Sequence, residues 1–307
     1  MQPSQADRDP PVPRTRPSSI VWLVLMNLIW AIGYPMTTVA LHEGMPPSLL
    51  AVVRLVGAFL MLWPQLRGLH HLSGKLWGFS AAMGVTGFTL PMWLQIRGIG
   101  GTDAAIGAIS VALEPLLTVL LAAQITGQRV HRGQQVALGL AILGSWILTG
   151  APRPGHLTHI SADLALILAV ICYAIYNIYS PRLTQAIAVG PAAALSYGFG
   201  AMGAVGLWIV GGAPVPAHVT PALLTSVGFL TVFGTGIAYW LWLLVVSRES
   251  MTLSALFLFI QPLLGAFLSV FLGQTRLSLS LVIGGLLVLG AMFIGQDAPL
   301  SSRPTSD

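Results

Sequence analysis

Glu114 is the one acidic residue of this 307-residue sequence that falls well inside an apolar stretch. An ionised carboxylate there costs about 2.5–3.5 kcal/mol on insertion scales, so it has to be paired, hydrated or protonated. One interpretation is a carboxylate that binds a proton or the ammonium group of a small molecule. The other is a structural ion pair with Arg54, which could equally extend its head group outward. The matching residue in the second half of the sequence is neutral Gln261, so at most one carboxylate titrates at this level.

Aromatic and polar residues recur in several apolar stretches at intervals of three and four, the spacing of one helix face. Polar groups avoid lipid, so we predict that these faces point inward and line a central cavity. The alternatives are interhelical packing for the small residues and a place at the membrane surface for Trp and Tyr. Trp240 points about 100° away from Tyr239 on a helix, so both need not line the cavity. The candidates for contact with a small molecule are Trp30, Tyr34, Trp93, Glu114, Tyr173, Tyr176, Asn177, Tyr239, Trp240 and Gln261.

Four prolines lie inside the apolar stretches. Each removes a backbone donor and frees a carbonyl one turn earlier. Such a carbonyl could bind a small molecule, but a helix kink alone is the simpler interpretation. The predicted kinks are at Pro35, Pro91, Pro115 and Pro262.

The elements that position these residues are predicted to be membrane helices. The sequence is 55% hydrophobic and 7% charged, with a mean hydropathy of +0.82, which excludes a soluble globular domain of this length. Apolar stretches of about eighteen residues or more are typical of membrane spans. We place ten spans, at residues 20–41, 47–66, 76–96, 102–125, 134–150, 161–180, 190–211, 219–246, 251–273 and 277–295.

The pattern of apolar stretches occurs twice. The fourth stretch of each half contains Glu or Gln followed by Pro-Leu-Leu, at residues 114–117 and 261–264. An odd number of spans per half inverts the second copy, and inverted repeats around a midplane site are typical of secondary transporters. We therefore predict an all-α membrane protein with ten transmembrane helices in two inverted five-helix repeats. Each Pro-Leu-Leu sequence is preceded at the same distance by a Gly and a Trp: Gly87 and Trp93, Gly234 and Trp240.

The predicted organisation places both termini in the cytoplasm of a bacterium, with the chain in the inner membrane. With the N-terminus inside, ten of the 14 Lys and Arg residues fall on the inside and three on the outside, as the positive-inside rule requires. We expect a disordered tail at 1–18, a first repeat at 19–150, an external linker at 151–160, a second repeat at 161–296 and a disordered tail at 297–307.

The sequence offers little for other classes of function, and we expect no cofactor and no metal site. Cys172 is the single cysteine, and the seven His residues fall in loops or at span ends. There is no Gly-x-x-x-x-Gly-Lys loop for ATP. The net charge of +5 reflects membrane topology, so we expect no nucleic-acid partner. An intramembrane enzyme is the distant alternative.

Together these features resemble the EamA-type branch of the drug/metabolite transporter superfamily. The resemblance covers roughly residues 20–295 and rests on the two five-span halves, the Pro-Leu-Leu sequences, the fourth span, and the positions of Trp30 and Arg54. A departure is that residues 127–128 and 273–274 read Gly-Gln where the family commonly has Gly-Glu.

The resemblance implies a small-molecule substrate and the lipid bilayer as surroundings. The carboxylate of Glu114 makes a proton a candidate coupling ion. The resemblance also implies export of small metabolites, amino acids prominent among them. The single carboxylate favours an amphoteric substrate moved by alternating access, and the aromatic candidates listed above favour aromatic amino acids. The runner-up is efflux of lipophilic cationic drugs, which an acidic residue in an aromatic cavity would also suit.

Overall fold

The computed structural model describes residues 17–67, 69, 72–101, 114–115, 117–125, 132–149, 160–249, 251–261, 263–264, 268 and 278–296. Several predictions lie outside these residues. They are the tails up to residue 16 and from 297, most of the linker at 151–159, the first part of the fourth span, the Gly-Gln pairs and the kink at Pro262.

Helices account for the regular structure of the described residues, and they fall at ten places along the chain. We number them α1 to α10. The fourth is described at residues 114–115 and 117–125, and the ninth continues to residue 264 with gaps. The others, with α3 and α8 each in three parts, are α1 Pro17–His42, α2 Pro47–Leu62, α3 Gly74–Gly84, Val85–Thr89 and Leu90–Gly101, α5 Arg132–Thr149, α6 Ile160–Ala186, α7 Val189–Val210, α8 Pro221–Phe229, Leu230–Ile237 and Ala238–Val246, α9 Met251–Leu258 and α10 Leu279–Gln296.

Local sequence signals explain several helix ends. Pro47 and Pro221 occupy the first turn, where a missing N–H leaves no bond unmade. Ser73 and Thr220 cap the starts of α3 and α8 by accepting hydrogen bonds from the backbone N–H groups three residues ahead. Beyond the end of α1, Gly44 adopts a φ of 84°, which a residue with a side chain rarely adopts.

Five helices in the described part of the chain are long and apolar enough to cross a membrane: Pro17–His42, Pro47–Leu66, Ile160–Ala186, Val189–Val210 and Pro221–Val246. Their exposed surfaces carry large apolar side chains, for example Val21, Leu60, Met202 and Leu224. Such surfaces suit a hydrocarbon environment.

Helix packing follows the two-repeat pattern. If the halves are exchanged, α1 corresponds to α6, α2 to α7, α3 to α8 and α5 to α10. The structure pairs α2 with α7 and α5 with α10, each helix with its own counterpart. It also pairs α1 with α8, and α6 with α3. When the halves are exchanged, the first of these contacts becomes the second. The packing is therefore what a twofold relation between the repeats requires.

The same relation links two π-helical segments. Val85–Thr89 interrupts α3, and Leu230–Ile237 interrupts its counterpart α8. In α3 the segment precedes Pro91, whose missing N–H leaves the regular hydrogen-bond ladder one donor short. No proline follows the segment in α8, where residue 238 is Ala. Single π turns within α-helices are often found at functional sites.

Polar bonds join α1 and α8 near both ends. The Ser19 hydroxyl donates to a carboxylate oxygen of Glu249 across 2.6 Å, and Thr220 donates to Glu43 at the opposite end. These two helices, one from each repeat, form one wall of the central cavity.

Candidate functional site

A central cavity with about 620 Å³ of empty space, its open mouth included, lies between the repeats. Both halves of the chain contribute side chains to its lining. Seven of the ten contact candidates line it: Trp30, Tyr34, Glu114, Tyr173, Asn177, Tyr239 and Gln261. Arg54 lines it as well.

Arg54 brings a buried guanidinium to the cavity from the middle of α2. Its side chain is 6% exposed, and Nε donates to the Thr235 hydroxyl across 2.9 Å. Thr235 lies in the π segment of α8 and donates in turn to the Leu230 carbonyl oxygen, five residues earlier. The π segment of one repeat thus orients the cation supplied by the other.

Glu114 reaches the cavity from α4 and accepts a hydrogen bond from Asn177 Nδ2 on α6 across 3.2 Å. The same amide lies 3.4 Å from the hydroxyl of Thr118, one turn along α4. Among the contacts of the described residues, none joins Glu114 to Arg54. In this structure Glu114 is therefore bonded to Asn177 and Arg54 to Thr235, and not to each other as the ion-pair interpretation requires.

A chain of polar side chains crosses the cavity wall. The Tyr173 hydroxyl donates to Gln95 Oε1 across 3.2 Å, and Gln95 Nε2 lies 3.4 Å from the Tyr34 hydroxyl. The links join α6, α3 and α1, and so connect the repeats through groups that can both donate and accept hydrogen bonds.

Aromatic rings form the apolar side of the cavity. Trp30 meets Tyr239 edge to face with ring centroids 5.0 Å apart, and Tyr239 stacks against Tyr173 at 6.3 Å. Trp242 lies 6.2 Å from Trp30 and also lines the cavity. These contacts provide an apolar surface beside the two charged groups.

Three contact candidates lie outside the cavity lining. Trp93 is half-buried on α3, with the Arg97 guanidinium 5.0 Å from its ring centroid. Tyr176 is fully buried, edge to face with Phe88 and pressed against Gly87. Trp240 is half-buried and packs against the main apolar core. Tyr176 and Trp240 therefore contribute to packing.

Some lining residues were absent from the sequence-based candidates. Gln95 lies two residues beyond Trp93, on a different face of α3. Trp242 is three residues beyond Tyr239 and therefore shares its face, a signal that was available in the sequence. The remaining additions are Gly33, Thr37, Ile99, Leu230, Gly234 and Leu258.

The prolines vary in their surroundings. Pro35 lies within the continuous helix α1, and Pro91 follows the π segment of α3. Pro115 is buried in a helical segment of α4. The kinks at these three positions remain predictions.

The fold and the cavity define a polytopic helical membrane protein of the transporter class, made of two structurally related halves around a central cavity. The chain belongs to the EamA-like transporter family, whose model matches residues 17–150 and again residues 160–295. The double match confirms the predicted family and the two-repeat fold class. The family is one of transporters and not, in general, of enzymes.

Curated relatives align over most of the chain. "Uncharacterized transporter YvbV" of Bacillus subtilis is 24% identical over 91% of this chain and 90% of its own length. The "Probable amino-acid metabolite efflux pump" of Salmonella typhimurium is 25% identical over 88% of this chain and 92% of its own. The "Probable terminal-alkyne amino-acid exporter" of Streptantibioticus cattleyicolor is 26% identical over 91% and 94%.

A solved crystal structure supports the same fold. It superposes with a TM-score of 0.73 over 91% of this chain and 96% of that one, at 19% sequence identity. At this identity the likeness bears on the fold alone.

Proposed function

We propose that this protein exports small amphoteric metabolites, with aromatic amino acids as the favoured substrates, by alternating access through the central cavity. The observation that carries the proposal is the cavity itself. Within the described residues, one carboxylate, one guanidinium and a cluster of aromatic rings from both repeats surround the same space. Such a site complements a molecule with one positive group, one negative group and an apolar side chain.

The direction of transport and the membrane are part of the proposal. Two relatives carry names of exporters or efflux pumps of amino-acid compounds. The distribution of Lys and Arg supports a place in the bacterial inner membrane with both termini of this chain on the cytoplasmic side. Residues 19–150 and 161–296 would be the two moving repeats, joined by the external linker.

The hydrogen bonds between α1 and α8 suggest how the cavity opens. Ser19 with Glu249 and Thr220 with Glu43 tie the repeats together near opposite membrane surfaces. Alternating access requires that one side separates while the other stays closed. These two contacts and the two π segments are suited to act as closures and hinges.

Glu114 is the proposed proton-coupling or ammonium-binding residue. It is the described carboxylate in the cavity lining, and it keeps a neutral partner in Asn177. A carboxylate with a neutral partner can exchange a proton or accept a hydrogen bond from an ammonium group without first breaking an ion pair.

Uptake of labelled amino acids into proteoliposomes, with and without an imposed pH gradient, tests the proposal. We expect accumulation of Phe, Tyr or Trp that depends on the gradient in the wild type and loses this dependence in Glu114→Gln. If the labelled amino acids only equilibrate and the pH gradient has no effect, the protein is a facilitator and Glu114 has no coupling role. Movement of lipophilic cations and of no amino acid would replace the proposal by drug efflux.

A further inference from the structure

We propose that Arg54 forms a dedicated subsite for the carboxylate of the transported molecule, so that a free carboxylate is a condition for transport. This inference rests on the proposed function and extends it, because it assigns the negative and the positive group of an amphoteric substrate to different residues of the cavity. The carboxylate would contact Arg54 on α2, and the ammonium group would contact Glu114 and Asn177 on α4 and α6.

The first argument is the state of the guanidinium. Arg54 is 6% exposed and lines the cavity. Its Nε is bonded to Thr235, and within the described residues Nη1 and Nη2 carry no hydrogen bond to protein. A buried cation without a counter-charge is costly, and a bound carboxylate would supply one.

The second argument is geometric. A guanidinium presents its N–H groups as a planar fork that matches a carboxylate in a bidentate manner. The bond from Nε to Thr235 fixes one edge of the group and leaves the terminal nitrogens available. Gly234 lies beside them, and a Cβ built there would come within 3.9 Å of Nη2. The glycine therefore keeps space open next to the fork.

The third argument is the separation of charges. Glu114 and Arg54 line one cavity, yet each is held by a neutral polar group of another helix. A lipophilic cation would satisfy Glu114 and leave Arg54 without a partner. A simple anion would do the reverse. An amphoteric molecule satisfies both groups, and the aromatic rings that line the same cavity suit its side chain.

Competition against labelled phenylalanine in proteoliposomes tests the subsite directly in the wild type. The competitors are unlabelled phenylalanine, phenylalaninamide, 2-phenylethylamine and 3-phenylpropionate. We expect phenylalaninamide and 2-phenylethylamine, which lack the carboxylate, to compete roughly 10- to 100-fold more weakly than phenylalanine, since a hydrogen bond to a charged group has about this effect. Phenylalaninamide that competes as well as phenylalanine would overturn the subsite while leaving the proposed function intact.

Variants locate the effect at Arg54. Arg54→Lys keeps the charge but loses the planar fork of N–H groups. It should weaken competition by unlabelled phenylalanine roughly tenfold or more and leave the weak competition by phenylalaninamide unchanged. Arg182→Lys, whose guanidinium lies 4.8 Å from the ring centroid of Tyr179 and away from the cavity lining, is the matched control. Equal losses for both compounds in Arg54→Lys would indicate a structural role and overturn the subsite.

Gly234→Ala provides a test that leaves Arg54 in place. The added methyl group has ordinary van der Waals contacts, with a nearest neighbour at 3.7 Å, so the variant is expected to fold. It should weaken competition by phenylalanine more than competition by phenylalaninamide. Gly228→Ala on the same helix, with open space around the added methyl group, is its control.

Failure of the proposed function gives a different result. If no labelled amino acid moves but 3-phenylpropionate raises the unfolding temperature of the wild type and not of Arg54→Lys, the carboxylate subsite stands and the amino-acid assignment falls. If no carboxylate-bearing compound moves or stabilises the protein, both proposals are overturned.

Discussion

Trp30 donates its indole N–H to the carbonyl oxygen of Gly234 across 3.2 Å, and this bond ties the first helix of one repeat to the π segment of the other. A π segment shifts the hydrogen-bond ladder of a helix and so alters which carbonyls are satisfied within it. Tyr197 supplies further partners to the same segment, since its hydroxyl lies 3.2 Å from the carbonyl oxygens of Thr235 and Gly236. Side chains of α1 and α7 thus hold the segment that orients Arg54.

Replacing Trp30 with Phe retains an aromatic ring but removes the donor to Gly234. A buried carbonyl without a partner costs about 1–3 kcal/mol, so we expect a lower unfolding temperature in detergent and a raised KM for transport. Trp208→Phe removes a comparable bond, from Nε1 to the Pro214 carbonyl oxygen at 2.9 Å, at an exposed place. It should leave KM unchanged, and a similar rise in both variants would contradict a specific role for the Trp30 bond.

Thr235→Val removes the hydroxyl that accepts from Arg54 while keeping the shape of the side chain. Because Arg54 then loses the group that fixes its orientation, we expect roughly a tenfold weaker apparent affinity for phenylalanine, measured by counterflow in proteoliposomes. Thr231→Val, in the same π segment, loses only a hydroxyl bond to the carbonyl oxygen of Val227 and serves as the control. An unchanged affinity in Thr235→Val would show that Arg54 needs no such support.

Trp242 and Trp240 make a matched pair two residues apart on α8. Trp242 is 1% exposed and lines the cavity, whereas Trp240 packs against the main core. We expect Trp242→Phe to enlarge the cavity and to change the ranking of Phe, Tyr and Trp as competitors by several fold. Trp240→Phe should reduce stability without changing that ranking. The opposite result would restore Trp240 as the contact residue.

Gly87→Ala tests the packing role of Tyr176. A Cβ at Gly87 would come within 2.2 Å of Tyr176 Cδ2, so the ring has to move. Overpacking of this kind typically costs about 1–3 kcal/mol, which lowers the unfolding temperature by about 2–5 °C for a chain of this size. Gly78→Ala, with open space around it, should be neutral or slightly stabilising. Equal unfolding temperatures for the two variants would show that α3 and α6 adjust freely.

The sequence predicted the helices and the repeat well because both depend on local composition. Gly87 and Gly234 are six residues before matching tryptophans, and each lies in a π segment of its helix. The π turns themselves were not predicted. That of α3 has a signal in Pro91, but that of α8 has none, since it is stabilised by contacts from Trp30 and Tyr197 on other helices.

Helical spacing was less reliable for the cavity lining. Tyr173 and Asn177 share a face of α6 and both line the cavity, while Tyr176, between them, is rotated into the packing against Phe88. A stripe of aromatic residues is broader than the part of a helix that faces a cavity. Periodicity alone therefore includes neighbours that pack against other helices.

The sequence by itself determined that this is a membrane protein of two inverted helical repeats and that one carboxylate and one guanidinium lie within the apolar spans. Hydropathy and repetition are properties of the chain, and they hold whatever the helices contact. Tertiary structure decided which groups meet. Arg54 and Thr235 are 181 residues apart, and Asn177 and Glu114 are 63 apart. Whether such residues meet depends on how each helix is rotated about its axis and shifted along it. Packing fixes both only when the repeats come together.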